Sequence, residues 1–540
     1  MRSKTVGPKG RVVAFIDIGT NSVRMLVVRL NPNHSYSILT RQKQQVRLGD
    51  GEFEDEEITA EAIERTVLVC KKFTDLARTF AVEEFIAVAT SAAREANNQK
   101  DLLGRLRHEA MLDVRVVSGR EEARLIYLGV ASGMHLLKRR GLFIDIGGGS
   151  TEIALGDQRE YEYLESFKLG AIRLTNLFFS SGGLQPVTPD DYRHLQQKIR
   201  NVIIHSVQKI RTARPDLMIG SSGTIMNLAD IADKAFHSGN GSAEKTLTYR
   251  DLKKVIALLC SLPLEERRKI PGINPERADI IIAGAAILDT FMKELDIPTI
   301  TITSRGLQDG LLTDYLSRLD DFPLIGELSP RQRSVLQLGR SCGINEAHSR
   351  AVAGLVLELF DSAKEINLHT YGDAERELLE YATFLHDIGS FISYVNHQAH
   401  SYYIIKNSEL LGFDQKEIAI MANLARFHRK KTPGKKADGI RELDLRDQEM
   451  IRILSLFIRL GESLDRSHAA LVCHVRLVSA GKNAVNLNIT ARENCQLEIW
   501  GVEAEKKAFE KVFGKKLDLN IIDAGAGGLS HGDTKTDLIS

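Results

Sequence analysis

Cysteine is scarce in this chain: Cys70, Cys260, Cys342, Cys473 and Cys495 are scattered, with no CxxC pair among them. An odd, dispersed set argues against a disulfide framework or a zinc–thiolate site and fits a reducing compartment. Long apolar runs are also missing. The longest, Ile280 to Leu288, is about half of what a bilayer crossing needs and reads as a buried helix. The start, MRSKTVGPKGR, is basic, but Asp17 interrupts the apolar stretch behind it. That makes a poor secretory signal and a good lead-in to a strand, so a cytoplasmic location is expected. Charge of one sign is absent as well. Lys and Arg number 72 against 71 Asp and Glu, a net charge of +1. Any grip on a polyanion must therefore come from local patches, and no nucleic-acid partner is expected.

What is present is ordinary globular composition, 43% hydrophobic and 26% charged. At 540 residues the chain is too long for one core, and two to four domains are expected. The most informative feature is a duplication. Phe15-Ile16-Asp17-Ile18-Gly19-Thr20-Asn21-Ser22 recurs as Phe143-Ile144-Asp145-Ile146-Gly147-Gly148-Gly149-Ser150, 128 positions later, and both copies run on into apolar, strand-like sequence. Each copy predicts a strand, a tight Gly/Ser turn and a second strand. The aspartate projects a carboxylate at the turn, and the small residues let backbone N–H groups converge on an anion. A third Gly-rich turn, Gly220-Ser221-Ser222-Gly223-Thr224, follows the strand-like Leu217-Met218-Ile219 and precedes a helical pattern.

Paired DxG hairpins resemble those of actin, sugar kinases and acetate kinase, where they face each other across a cleft. Three further segments narrow the likeness: Ala89-Thr90-Ser91-Ala92-Ala93-Arg94-Glu95-Ala96-Asn97-Asn98, Ser118-Gly119-Arg120-Glu121-Glu122-Ala123-Arg124-Leu125-Ile126-Tyr127, and Gly147-Gly148-Gly149-Ser150-Thr151-Glu152. With DIGTNS they resemble the exopolyphosphatase/guanosine pentaphosphate phosphatase (Ppx/GppA) family over residues 11 to about 315, continuing into the C-terminal half. The resemblance implies a duplicated actin-like (ribonuclease H-like) α/β domain with lobes at 11–135 and 136–320. An all-α HD-type domain at 328–472, a small αβ appendix at 473–522 and a disordered tail at 523–540 complete the expected organisation. The implied activity is exopolyphosphatase. Guanosine pentaphosphate 5′-phosphohydrolase is the close alternative, and a non-catalytic phosphoanhydride or alarmone sensor is an alternative of another class. A kinase or chaperone-like ATPase on the same fold is disfavoured by Glu122 and Glu152. A homodimer is also implied.

The chemistry agrees with the resemblance, because phosphoanhydride hydrolysis needs positioning, charge neutralisation and an oriented water. The expected phosphate cradle is Asp17, Gly19, Thr20, Asn21, Ser22, Gly147, Gly148, Gly149, Ser150, Thr151 and Gly223. Asp145 and Glu152 supply hard oxygen ligands suited to Mg²⁺, and Arg94 a planar fork for phosphate oxygens. The general base is expected at Glu122, on a helix whose Leu125, Ile126 and Gly129 fall on its own face. Glu121 has apolar partners too, so periodicity does not decide between them. The matching glutamate of the family, immediately before the Ala-Arg pair, favours Glu122.

In the C-terminal half, Asp320-Asp321-Phe322-Pro323 and Ser329-Pro330 read as a linker. His348, the pair His386-Asp387, and Asp465 have the spacing of an HD-type metal site, and helical periodicity turns them inward. Polar groups on apolar faces must be paired or metal-bound. The region is thus either a second metal-dependent site or a scaffold whose His and Asp bond to one another, with His397, His400 and His428 as further candidate ligands. Residues 425–436, ARFHRKKTPGKK, are the most basic stretch and are expected to be a solvated loop or a strip that holds a long polyanion.

Overall fold

Near-continuous apolar runs build the first strand of both copies of the repeat. In β1 (Arg11–Ile18) and β6 (Gly141–Ile146) nearly every side chain is buried, which is the pattern of a strand covered on both faces. Each continues through its turn into an antiparallel partner, β2 (Ser22–Leu30) and β7 (Thr151–Gly156), then β3 (Tyr36–Gln45) and β8 (Tyr161–Phe167). Parallel strands β4 (Glu84–Ala89) and β5 (Val114–Val116) extend the first sheet, in the order β3-β2-β1-β4-β5. β9 (Leu217–Ser221), β10 (Thr246–Thr248) and β11 (Thr299–Ile302) extend the second, in the order β10-β11-β9-β6-β7-β8. The two sheets thus repeat one topology, with β10 added at one edge. The computed structural model describes residues 10–50, 56–136, 138–179, 184–236, 245–319, 328–429 and 439–523. The chain divides into two units, Met1–Glu327 and Leu328–Ser540.

Helices α1 (Ala60–Thr79), α2 (Ser91–Glu95) and α3 (Gln99–Glu109) belong to the first sheet. After α4 (Gly119–Ala131), helices α5 (Ala171–Phe178), α6 (Pro189–Ala213), α7 (Ser222–Phe236), α8 (Tyr249–Ser261), α9 (Leu264–Arg267) and α10 (Ile281–Glu294) belong to the second, and α11 (Leu307–Leu316) closes the unit. Strand alternation sorts the cores. Ala14, Ile16 and Ile18 join the outer core of lobe I, and Leu142, Ile144 and Ile146 that of lobe II. Their alternates Val13, Phe15 and Phe143 meet a third core, filled by Leu125, Ile126 and Val130 of α4 and Leu307, Leu311 and Leu312 of α11. With period 2, Asp17 lies on the face of Val13 and Phe15, and Asp145 on the face of Phe143. Both aspartates therefore end strands at this middle layer.

Glycine permits the close crossing of α4 and α11. A Cβ on Gly310 would fall 1.8 Å from the Leu125 carbonyl oxygen, and one on Gly129 2.1 Å from that of Gly306. Both neighbours are backbone and cannot move aside. Gly310→Ala is expected to destabilise the first unit by about 2–3 kcal/mol, read as a lowered Tm, whereas Gly104→Ala, at a site with open space around it, should not lower it.

The second unit is helical, with α12 (Pro330–Ser341), α13 (Glu346–Glu365), α14 (Asp373–Phe384), α15 (His397–Asn407), α16 (Gln415–Arg426) and α17 (Leu445–Leu464). It then turns to β12 (Val472–Ser479), β13 (Ala484–Ala491), α18 (Gln496–Phe513) and β14 (Lys516–Asp523), a three-stranded sheet in the order β12-β13-β14. The sheet docks on α13, where Glu358 accepts from the Val475 N–H at 2.7 Å and Ser362 from the Leu477 N–H at 3.1 Å. Ser329-Pro330, read as linker, instead starts α12. Ser329 caps the helix in a reciprocal pair with Gln332, and Pro330 occupies the first turn, where its missing N–H costs nothing. Residues 320–323, Lys430–Lys436 and the tail from 524 lie outside the described residues. Among the described residues no helix is long and apolar enough to cross a membrane.

Candidate active site

Strand register lines up the charged groups of the cleft in two rows. Across the first sheet Asp17 pairs with Arg24, and Arg24 with Lys43. Across the second, Ser221, Asp145, Glu152 and Ser166 stand in sequence on β9, β6, β7 and β8. Directly opposed residues have neighbouring side chains, and here the hydroxyls serve the acids. Ser221 Oγ donates to Asp145 Oδ2 at 2.5 Å, and Ser166 Oγ to Glu152 Oε1 at 2.7 Å. Asp17 Oδ1 is buried without a hydrogen-bond partner among the described residues.

The two turns close the rows. Gly19 N–H bonds to the Ser22 carbonyl at 3.1 Å, and Gly147 N–H to that of Ser150 at 2.9 Å, the same turn twice. They face each other, since a Cβ on Gly148 would stand 3.1 Å from Thr20 Cβ. The third turn joins them: Ser222 holds a left-handed φ of 90°, and Gly223 lies against the Arg277 guanidinium, whose Nη2 is 2.4 Å from where its Cβ would be. Such a backbone in a non-glycine residue is strained, and strain of this kind gathers at functional sites. The cleft is lined by Asp17, Gly19, Thr20, Asn21, Ser22, Glu122, Asp145, Gly147 to Ser150 and Gly223 among the expected residues. Thr151 is buried behind it, bonded to the Leu169 carbonyl at 2.5 Å.

The helix carrying the two glutamates separates them. Ser118 caps α4 by accepting from the Glu121 N–H, fixing the rotation of the first turn. Glu122 is 6% exposed and lines the cleft. Glu121 points elsewhere, paired with Arg124 at 2.8 and 2.9 Å. Arg94 lies beside Glu122, donating to its Oε2 at 2.9 Å and to the Val117 carbonyl at 3.0 Å. The structure thus engages Arg94 as the partner of the buried acid.

Burial sets the electrostatics. It pushes the Glu122 carboxyl up to about 7 against the pull of Arg94, with Asp17 and Asp145 adding to the rise. Asp17 is likewise pushed up to about 6 by burial, against Arg24. Asp145 and Glu152 are raised too, chiefly by burial, and for Glu152 next by the Glu122 charge. Four acids crowded into one dry site call for a cation. Three basic groups not expected from the sequence stand at the site: Arg24 and Arg277 line the cleft, and Lys43 pairs with Arg24 on the next strand. Burial, then the two arginines, holds Lys43 down to about 8, and burial, then Arg24, holds Arg277 down to about 10. Arg24 sits 128 positions before Glu152, so the repeat itself marks it. Lys43 and Arg277 carry no such signal.

The lobes also bridge at the rim. Glu95 meets Lys168 and Arg173 at 2.9 Å each, and Arg47 meets Asp279 at 2.7 Å. In the second unit, His348, His386 and Asp387 come together, but their fourth neighbour is Glu462. Asp465, expected there, follows the end of α17 and binds His348 from behind, accepting at its Nδ1 at 2.7 Å. His397 and His428 converge on Asp387, and His400 joins neither group.

Comparison with known proteins gives the family to which the chain is similar. The model of the Ppx/GppA phosphatase family matches residues 26–319, and that of Ppx/GppA phosphatase domain III matches 331–506. An exopolyphosphatase from Cytophaga hutchinsonii is 29% identical, covering 58% of this chain and 99% of its own, with a TM-score of 0.54. The Ppx/GppA family member of Aquifex aeolicus is 28% identical over 58% of this chain and 99% of its own, with a TM-score of 0.47. An exopolyphosphatase-like protein at 23% identity covers 57% of this chain and 98% of its own, with a TM-score of 0.51, and shares the fold.

Proposed function

The chain belongs to the Ppx/GppA phosphatase family, and from that premise we propose that it is a Mg²⁺-dependent exopolyphosphatase. The reaction is attack of water on the terminal phosphorus of a polyphosphate chain. The anhydride P–O bond breaks, leaving orthophosphate and a chain one phosphate shorter. The observation that carries this reading is the facing pair of DxG turns, with the buried acids Asp17, Glu122 and Asp145 and the cations Arg24 and Arg277 lining one cleft.

In this reading the two turns and the Ser22 and Ser150 hydroxyls hold the terminal phosphate. Arg24, Lys43 and Arg277 balance charge along the chain. Glu122 accepts the proton of the attacking water, and Arg94 keeps its carboxylate oriented. The residues fit a Mg²⁺ ion: Asp17 Oδ1 has no partner among the described residues, and Asp145 and Glu152 offer hard oxygens. Asp145 and Glu152 would hold it, with water and phosphate oxygens completing its shell. Bound there, the ion supplies neutralisation of the negative charge on the phosphate oxygens.

The Cytophaga protein named as an exopolyphosphatase supports inorganic polyphosphate over guanosine pentaphosphate. The test is phosphate release from long-chain polyphosphate, guanosine pentaphosphate and ATP, with and without Mg²⁺. Polyphosphate should be turned over fastest, and only with Mg²⁺. Faster release from guanosine pentaphosphate would reassign the substrate, and tight binding without release would make the protein a sensor.

A further inference from the structure

A second set of convergent side chains lies wholly within the second unit and has no part in the chemistry above. His348, His386, Asp387 and Glu462 form one group, and Asp387, His397 and His428 another, with the ligand atoms of each all within 4.8 Å of one another. All four imidazoles are buried.

The hydrogen bonds fix which nitrogen of each ring faces inward. His386 Nδ1 lies 2.6 Å from the Thr383 carbonyl oxygen, His397 Nδ1 2.9 Å from that of Tyr394, and His428 Nδ1 2.6 Å from that of Ala425. His348 Nδ1 lies 2.7 Å from Asp465 Oδ2, and that carboxylate is held in turn by the Ala470 N–H at 2.8 Å. Every Nδ1 faces an acceptor, so in a neutral ring it carries the proton and leaves Nε2 as the atom that can bind a metal. A histidine anchored at one nitrogen by a carbonyl or carboxylate, with the other nitrogen bare, has the arrangement of a metal ligand with its outer partner.

The bare atoms then face one another. His397 Nε2 and His428 Nε2 are 3.1 Å apart, and they lie 3.0 and 3.3 Å from the same Asp387 oxygen. Glu462 Oε2 lies 3.0 Å from His386 Nε2 and 3.2 Å from His348 Nε2. In the second group protons do not resolve this. One proton between His397 and His428 leaves a lone pair against the Asp387 carboxylate, and two set N–H groups against each other. A cation resolves both groups at once. Ligand atoms bound about 2.1 Å from one ion lie roughly 3.0–3.4 Å apart; the spacings above fall in that range, and His386 Nε2 lies 3.7 Å from Asp387 Oδ1. The backbone is shaped for it: Asn396 holds φ 63° just before His397, and a Cβ on Gly389 would be 2.0 Å from the His397 carbonyl oxygen.

We propose that this unit binds a pair of first-row transition-metal dications, one on His348, His386, Asp387 and Glu462 and one on His397, His428 and the shared Asp387. Four imidazoles among two carboxylates select manganese, iron or zinc over magnesium.

The experiment uses the full chain, stripped with a chelator and dialysed against Mn²⁺ or Zn²⁺ in excess Mg²⁺, which occupies hard-oxygen sites. Two equivalents of Mn²⁺ or Zn²⁺ per chain are expected by mass spectrometry, falling to one in His397→Gln and in His428→Gln. The Mn²⁺-loaded wild type should give the paramagnetic resonance spectrum of an exchange-coupled pair, a readout that needs no variant. One equivalent or less in the wild type, a count unchanged in both variants, or an uncoupled spectrum would overturn the proposal.

Discussion

Glu122→Gln should lower phosphate release by about two to four orders of magnitude while polyphosphate still binds. The substitution keeps the side chain's size and its contact with Arg94 but removes the group that accepts the proton. Initial rates and equilibrium binding measured on the same preparation separate the two effects. Glu121→Gln is the internal control, because Glu121 is turned to Arg124 and away from the cleft. Equal losses in the two variants would sink the assignment of the base. The pH profile gives a second check. With the Glu122 carboxyl pushed up to about 7 by burial, wild-type activity should climb as pH rises through neutrality and flatten above it. That limb should be missing from the residual activity of the glutamine variant.

Asp145→Asn should cost about two to three orders of magnitude in rate and raise the Mg²⁺ concentration needed for half-maximal activity. It should also stabilise the metal-free protein, and the sign follows from the carboxyl's environment. Burial raises Asp145 above its ordinary value, so the folded state favours the protonated acid. That contribution to stability is complete below the unfolded value and fades as pH rises through the folded one. Asp17 and Glu122, raised to about 6 and about 7, act in the same direction. Metal-free protein should therefore lose this stability between about pH 4 and 7. Mg²⁺ should raise Tm more at pH 8 than at pH 5, and asparagine at 145 should shrink the rise. A Tm response equal in wild type and variant would move the ion elsewhere.

The hairpins were legible because their information is local: apolar runs, a tight turn and a repeat that names its own register. Arg24 was readable by the same logic, as the partner of Asp17 in the position Glu152 holds beside Asp145. Lys43 and Arg277 were not, because they come from β3 and from the short 3-10 turn Pro275–Arg277 between α9 and α10, and only tertiary placement brings them to the site. Glu121 and Glu122 were inseparable by periodicity, and the cap at Ser118 separates them. The fourth member of the histidine group was expected at Asp465, and the structure puts Glu462 there, three residues earlier. The later one falls past the end of its helix, where it reaches the back of the His348 ring instead of the front. Ser329-Pro330 shows the reverse error, since residues that break one helix also begin the next.

Among the places where the copied hairpins differ, one pairs directly with the aspartate of each: Arg24 in one and Glu152 in the other. Two like halves would make a mirror-like socket, indifferent to which way round an anion sat. Opposite charges at the matched place give the socket a compass, with a cation beside the aspartate of one turn and a second acid beside that of the other. A molecule with one tip and one tail, such as a linear chain of phosphates, can then be told end from end by duplicated parts that began alike.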